Sequence, residues 1–148
     1  WMDGERVHSA KAPDHLGKDA AATDAALGST LICPQSLFEV VDACSGCGRQ
    51  GEIALYSQVN KRFVRLIGES VDGCGGETSS ELPHFWDSER FTVVDAGNSK
   101  VALHSHSHNR FMRLDNRENV NALGGPRDVD SLPDCWGSER FRVLCAKG

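Results

Sequence analysis

The sequence predicts an all-β chain folded as a β-trefoil, with pseudo-threefold repeats and a degenerate N-terminal unit. Duplicated text carries that prediction. Residues 101–114, VALHSHSHNRFMRL, align without a gap on residues 53–66, IALYSQVNKRFVRL, at a constant offset of 48. A closing motif follows each copy, WDSERFTVVDA at 86–96 and WGSERFRVLCA at 136–146, at an offset of 50. A weaker trace, SLFEVVDA at 36–43, puts the three closing Phe at 38, 91 and 141. A period near 50 divides the 148 residues into units of about 1–50, 51–98 and 99–148, within the length of one domain. Four short strands repeated three times suit a trefoil, whereas a propeller needs more blades.

Residues 1–35 lack the hairpin text of the later units. Two readings stay open for them. They form a degenerate first unit, with strands at 5–9 and 29–33, or they extend over the fold or a partner, residues 1–28 being the candidate arm. The Ala-rich run at 18–27 predicts a short helix, stopped by Gly28. The chain begins at Trp1, and two readings stay open for that start: processed material held by neighbours in a natural assembly, for instance inside an organelle, or a fragment of a longer chain.

Each later unit opens with a hairpin. Ile53 and Leu55, like Val101 and Leu103, alternate as a half-buried strand does; polar turns follow at 58–61 and 106–109, and Val64/Leu66 and Met112/Leu114 alternate again. The long polar loops at 68–83 and 115–133 hold one more short strand, in the second case around Val120 and Leu123. The closing strand puts Phe38/Val40, Phe91/Val93 and Phe141/Val143 on one face. The expected core is therefore these six residues with Leu55, Phe63, Leu66, Trp86, Leu103, Phe111, Leu114 and Trp136. Trp86 and Trp136 are expected to cap the barrel, with Glu89, Arg90, Glu139 and Arg140 at its rim.

Chemistry-bearing residues are sparse. Cys44-x2-Cys47 is half of a zinc site at most; Cys44–Cys47 and Cys47–Cys74 are the conceivable disulfides, and free, mostly buried thiols are the favoured expectation for the six cysteines. His104, His106 and His108 have a spacing that lets three imidazoles share one strand face and hold a divalent metal. The repeat sets His106 and His108 opposite Gln58 and Asn60, which favours a polar hairpin tip over a metal site. His84, beside Phe85 and Trp86, is the best candidate for a perturbed imidazole, although Asp134 takes its place in the other copy. No nucleophile–base set, zincin motif or cofactor-binding motif is present, so no enzyme and no cofactor are expected. A net charge of −5, with Arg and Lys spread singly, argues against a nucleic-acid partner. No apolar run is long enough to span a bilayer, which leaves a soluble chain or one peripheral to a membrane complex.

The run I/V-A-L-x-S, a polar turn, R-F-x-R-L and then W-x-S-E-R-F-x-V resembles the fascin-like β-trefoil module. The resemblance covers residues 36–148 and implies the fold. Fascins crosslink actin with several trefoils in one chain, a multivalency a single trefoil lacks, and no actin-site residue carries over. Arg62/Arg65 and Arg110/Arg113 depart from the family text. Sugar-binding trefoils resemble the fold too, but the Q-x-W signature of ricin-type lectins is absent. The expected function is a non-catalytic scaffold, an accessory subunit of a larger assembly such as an organellar photosynthetic or respiratory complex. The alternatives are a carbohydrate-binding module and an actin-binding one. Trp1, Met2, His106, His108 and Asn109 are the expected contact residues.

Overall fold

The computed structural model describes residues 2–3, 6–7, 37–44, 49–80 and 82–145. Trp1, Cys33, Cys47 and the helix expected at 18–27 lie outside them. The described residues form eleven strands and no helix: β1 Met2–Asp3, β2 Arg6–Val7, β3 Glu39–Asp42, β4 Glu52–Ser57, β5 Arg62–Ile67, β6 Ser70–Gly75, β7 Phe91–Asp95, β8 Val101–Ser105, β9 Arg110–Phe111, β10 Arg113–Leu114 and β11 Val120–Asn121. Among them no helix is long and apolar enough to cross a membrane.

All pairings between these strands are antiparallel, and the sheet order explains its curl. One path runs β1-β2-β6-β5-β4-β7-β8-β9, with β3 added at β4. Beyond β9 the chain continues through Met112 into β10, which pairs with β11, and β11 pairs back onto β6. The far end of the path thus returns to β6, giving a nearly closed, barrel-like sheet. The β1–β2 hairpin extends the edge of β6, with Arg6 opposite Asp72.

The duplication in the sequence is a duplication of hydrogen bonds. Ile53 stands opposite Phe91, and Val101 opposite Phe141. Tyr56 faces Phe63 with ring centroids 4.8 Å apart, and His104 faces Phe111 at the same 4.8 Å. Leu66 N–H donates to Ser88 O at 2.9 Å, as Leu114 N–H does to Ser138 O. Trp86 N–H donates to Pro83 O and Trp136 N–H to Pro133 O, each at 3.1 Å. The turns at 58–61 and 106–109 both end on a left-handed residue, Lys61 at φ 54° and Asn109 at φ 49°.

Alternation along β4 and β5 divides the buried residues between two faces. Val64, Leu66, Val71, Phe91, Leu103, Met112 and Ala122 form the main core, with Phe38, Ile53, Leu55, Val120 and Phe141 packed on it. Ala43, Ala54, Tyr56 and Phe63 form a second cluster, covered by Val41, Leu82 and Trp86. Leu114 and Trp136 are half-buried. The Tyr56 hydroxyl lies 2.9 and 2.8 Å from the carbonyl oxygens of Gly76 and Glu77, which fixes the loop after β6 over this cluster.

Two expectations are corrected. Val40, Val93 and Val143 do not join the core; they are 60%, 40% and 65% exposed. Among the described residues β3 has a partner on one side alone, β7 meets β4 only at Phe91 and Thr92, and Val143 lies beyond the last bridge. Alternation gives these valines the right phase, but no second strand covers them. Conversely, Glu89, Arg90 and Glu139 are not rim residues, being 3%, 4% and 3% exposed. Arg90 is held there by the carbonyl oxygens of Ala43 and Pro83, and Glu139 lies beside Arg113.

Candidate functional site

The buried charges are organised around one strand position in each copy. Arg65 on β5 stands opposite Asp72 on β6. Its Nε and Nη2 donate to the two carboxylate oxygens of Asp72 at 2.8 and 2.7 Å, a bidentate pair. That bond holds the Arg65 guanidinium above its already high ordinary value. Burial pushes the Glu89 carboxyl up, with Arg65 opposing, and pushes the neighbouring Cys74 thiol up, with Glu89 adding to the effect. Cys74 is thus held in the thiol form and away from nucleophilic chemistry. Arg90 reaches the other way, donating to Pro83 O at 2.9 Å and to the carbonyl of Ala43. Arg140 repeats the first of these, donating to Pro133 O at 3.0 Å.

The third unit departs from this plan. Leu66 stands opposite Val71 and Arg65 opposite Asp72, whereas Leu114 stands opposite Val120 and Arg113 opposite Asn121. One additional residue in the 115–119 turn moves the correspondence from 48 to 49, so Asn121 occupies the place of Asp72. Asn121 is engaged elsewhere: its Nδ2 donates to Asp115 at 3.0 Å, and its Oδ1 accepts from Leu123 N–H at 3.1 Å. Asp115 also accepts the backbone N–H groups of Arg117 and Asn119 at 2.8 and 3.0 Å. These bonds, that from Asn119 foremost, hold its carboxyl below the ordinary aspartate value. Arg113 is left with Glu139 alone, its Nε 3.8 Å from Oε1, beyond hydrogen-bond distance.

Arg113 and Glu139 line an open cleft of about 370 Å³ with Leu123, Gly124, Trp136 and Ser138. Its lining is more polar than apolar. The Arg127 guanidinium lies 5.4 Å from the Trp136 ring centroid, and Leu123 is 56% exposed. A Cβ on Gly124 would come 3.0 Å from Trp136 Cζ3 and 3.1 Å from Glu139 Oε1, so a side chain there crowds this floor. A second hollow, about 460 Å³, lies between residues 94–97 and the Asp130–Asp134 loop, with Arg140 at its side.

No family model matches this chain, and no curated protein matches it.

The histidines are not brought together. His104 is buried, meets Phe111 edge-on, and its Nε2 donates to Arg127 O at 2.8 Å, as Tyr56 reaches its own loop carbonyls. His108 accepts Gly68 N–H at Nδ1 (3.2 Å) and lies 3.1 Å from the Ser88 hydroxyl at Nε2. His106 is exposed. Among the described residues no three His, Cys, Asp or Glu side chains stand where they hold a metal. Cys44 and Cys74 are half-buried free thiols, which removes both conceivable disulfides. Cys135 and Cys145 are exposed rather than buried, because both lie on coil outside the barrel strands. Asn109 is tied to Asp128 through Nδ2 at 3.0 Å and accepts Arg127 N–H at 2.8 Å. His84 is exposed and meets Phe85 edge-on, at 5.5 Å between centroids. The Arg113 cleft was missed by sequence reasoning. Its signal was the replacement of Asp by Asn one residue out of the gap-free alignment.

Proposed function

We propose that this chain is a non-catalytic interaction module built on a β-trefoil of the fascin-like kind, and that it serves as an accessory subunit of a larger assembly. The paired hydrogen bonds of the second and third units support the trefoil, since repeat-equivalent residues make repeat-equivalent bonds. The observation that carries the functional reading is the exposure of Val40, Val93 and Val143, three equivalent positions, on strand segments with one partner or none among the described residues. Apolar side chains on such edges are contact surface for another chain. Arg65, Arg90 and Arg140, by contrast, are engaged inside the fold.

The test is lysine cross-linking in native extract, read by mass spectrometry together with size fractionation. Lys61 and Lys100 are exposed next to strand ends. The expected result is a heavy fraction in which they link reproducibly to the same partner subunit, and Val93→Glu shifts the chain to the monomer fraction without lowering its melting temperature. A chain that elutes as a monomer with intramolecular links alone refutes the scaffold reading.

A further inference from the structure

Two of the three closing segments are covered along one edge by the opening strand of the next unit, in one register. On β3, Val40 faces Leu55, Val41 faces Ala54 and Asp42 faces Ile53; on β7, Val93 faces Leu103, Val94 faces Ala102 and Asp95 faces Val101. Ala43 N–H donates to Glu52 O and Ala96 N–H to Lys100 O, each at 3.0 Å. β4 and β8 also meet the closing segment of their own unit, Ile53 opposite Phe91 and Val101 opposite Phe141. The third closing segment makes the second kind of contact: Phe141 and Val101 exchange N–H···O bonds at 2.8 Å. Backbone groups alternate between the two edges of an extended segment, so Leu144, at the place of Val41 and Val94, serves the other edge. Among the described residues no strand pairs with Leu144, and none stands opposite Phe38, the first unit's counterpart of Phe91 and Phe141. β1 and β2 pair with each other and with β6 instead.

The repeat specifies the strand that fits this edge. Val143 and Leu144 are 65% and 47% exposed, and Arg142 and Cys145 are exposed beside them, so an incoming backbone can reach it. Opposite Leu144 belongs a small residue, because Ala54 and Ala102 are both fully buried at that place; opposite Val143 belongs a Leu, as Leu55 and Leu103 show. Charge sets the third edge apart. Arg142 stands where the first unit has Glu39 and the second Thr92, and Cys145 stands where both have Asp, at 42 and 95. A carboxylate directly across from Arg142 is therefore favoured, at the place of Tyr56 and His104. A second copy of this chain already has its two opening strands of this type, β4 and β8, paired internally, which leaves another protein as the source. We propose that residues 141–145 dock an extended segment of a partner protein as an antiparallel strand, reading apolar, small, apolar and acidic opposite Cys145, Leu144, Val143 and Arg142. This rests on the reading of the chain as an interaction module and names the partner's chemistry at one of its three exposed valines.

The experiment uses the whole chain, with the backbone amide resonances of Val94 and Leu144 as the readout. Three capped peptides serve as probes: residues 52–58 with Tyr56→Glu, EIALESQ; the same with Lys at that place, EIALKSQ; and EIPLESQ, whose proline removes the N–H that pairs with Leu144. In the chain alone the Leu144 amide should exchange with solvent faster than that of Val94. EIALESQ should move the Leu144 signal saturably and slow its exchange. EIPLESQ should bind about tenfold or more weakly, as loss of a ladder bond in a paired strand requires. EIALKSQ should bind about twofold to fivefold more weakly than EIALESQ, and Arg142→Glu should reverse that preference. The proline and lysine probes act on the parent chain, so the test stands whether or not the variant folds. A Leu144 amide as protected as that of Val94 before any peptide is added would overturn the proposal, since a strand of this chain or of a second copy then holds the edge. So would the absence of any movement at Leu144 with EIALESQ. EIPLESQ binding as tightly as EIALESQ would overturn the strand pairing, and EIALKSQ binding as tightly would overturn the acidic position. Cross-linking in extract reads none of these, so failure here and failure of the scaffold reading are distinguishable.

Discussion

At Lys61 a β-unbranched cation is held at φ 54°, where its repeat counterpart is Asn109 at φ 49°. Asn tolerates the left-handed region because its short side chain bonds locally, whereas other L-residues carry a cost of about 1–2 kcal/mol. Lys61→Asn should therefore raise stability by up to about 1 kcal/mol, read from the urea midpoint at unchanged slope. Glu89 gives a pH-dependent prediction. Its carboxyl is raised in the folded chain, chiefly by burial, so the native state holds the proton at pH values where the unfolded chain has released it. The contribution is fully present below the ordinary glutamate value of 4.5 and is lost as pH rises through the folded value, where Glu89 must ionise in its buried site. Urea denaturation from about pH 5 to about pH 8 should show stability falling more steeply with pH in the parent than in Glu89→Gln. Equal slopes would mean that the carboxyl ionises in the fold as easily as in water.

Among the elements, the β4–β5 hairpin and its third-unit copy were legible because the duplicated text has no gap and alternates with period two on either side of a polar turn. The turns fall where expected, between Ser57 and Arg62 and between Ser105 and Arg110. What was not legible is what lies on top of a strand. Val40, Val93 and Val143 have the phase of core residues and lack a covering neighbour. Ala54 and Tyr56 have the phase of outward residues, yet the loop carrying Leu82 and Trp86 folds back and buries them. The Arg113 cleft was hidden for a related reason: one extra residue in a turn shifts the cross-strand partner, and pairing is a property of two strands. The covering loop can be tested at Gly76. A Cβ there would lie 2.8 Å from Cε2 of Phe63, a fully buried ring packed at a tilt against Tyr56. Gly76→Ala should cost about 1–3 kcal/mol through overpacking, and should loosen the loop that Tyr56 ties through Gly76 and Glu77. Tyr56→Phe should loosen the same loop without the clash, at about 1 kcal/mol.

Over the whole molecule the two matching units are unequally built, and this orders their stability. The second contributes three six-residue strands, β4, β5 and β6, paired continuously from Arg62–Gly75 to Ile67–Ser70 along one hairpin. In the third, β9, β10 and β11 have two residues each, and the closing strand is reduced to the single bridge between Val101 and Phe141. The main core leans the same way: Phe91 is fully buried, whereas Phe141 packs on the core from a half-buried place. Local opening costs less free energy where fewer backbone bonds and less apolar burial are lost, so amides of the third unit should exchange through smaller openings than those of β4–β6. In native-state hydrogen exchange, peptides covering residues 52–75 should report the global unfolding free energy, and peptides covering 110–121 and 136–144 a smaller one. The same asymmetry sets the two equivalent truncations apart. Phe91→Ala should cost about 3–5 kcal/mol, as removal of a fully buried aromatic does, and lower protection in both units. Phe141→Ala should cost visibly less and lower protection mainly around β8. Equal costs, with equal protection in both units, would mean that the barrel closes as tightly through its single bridge as through its long hairpin.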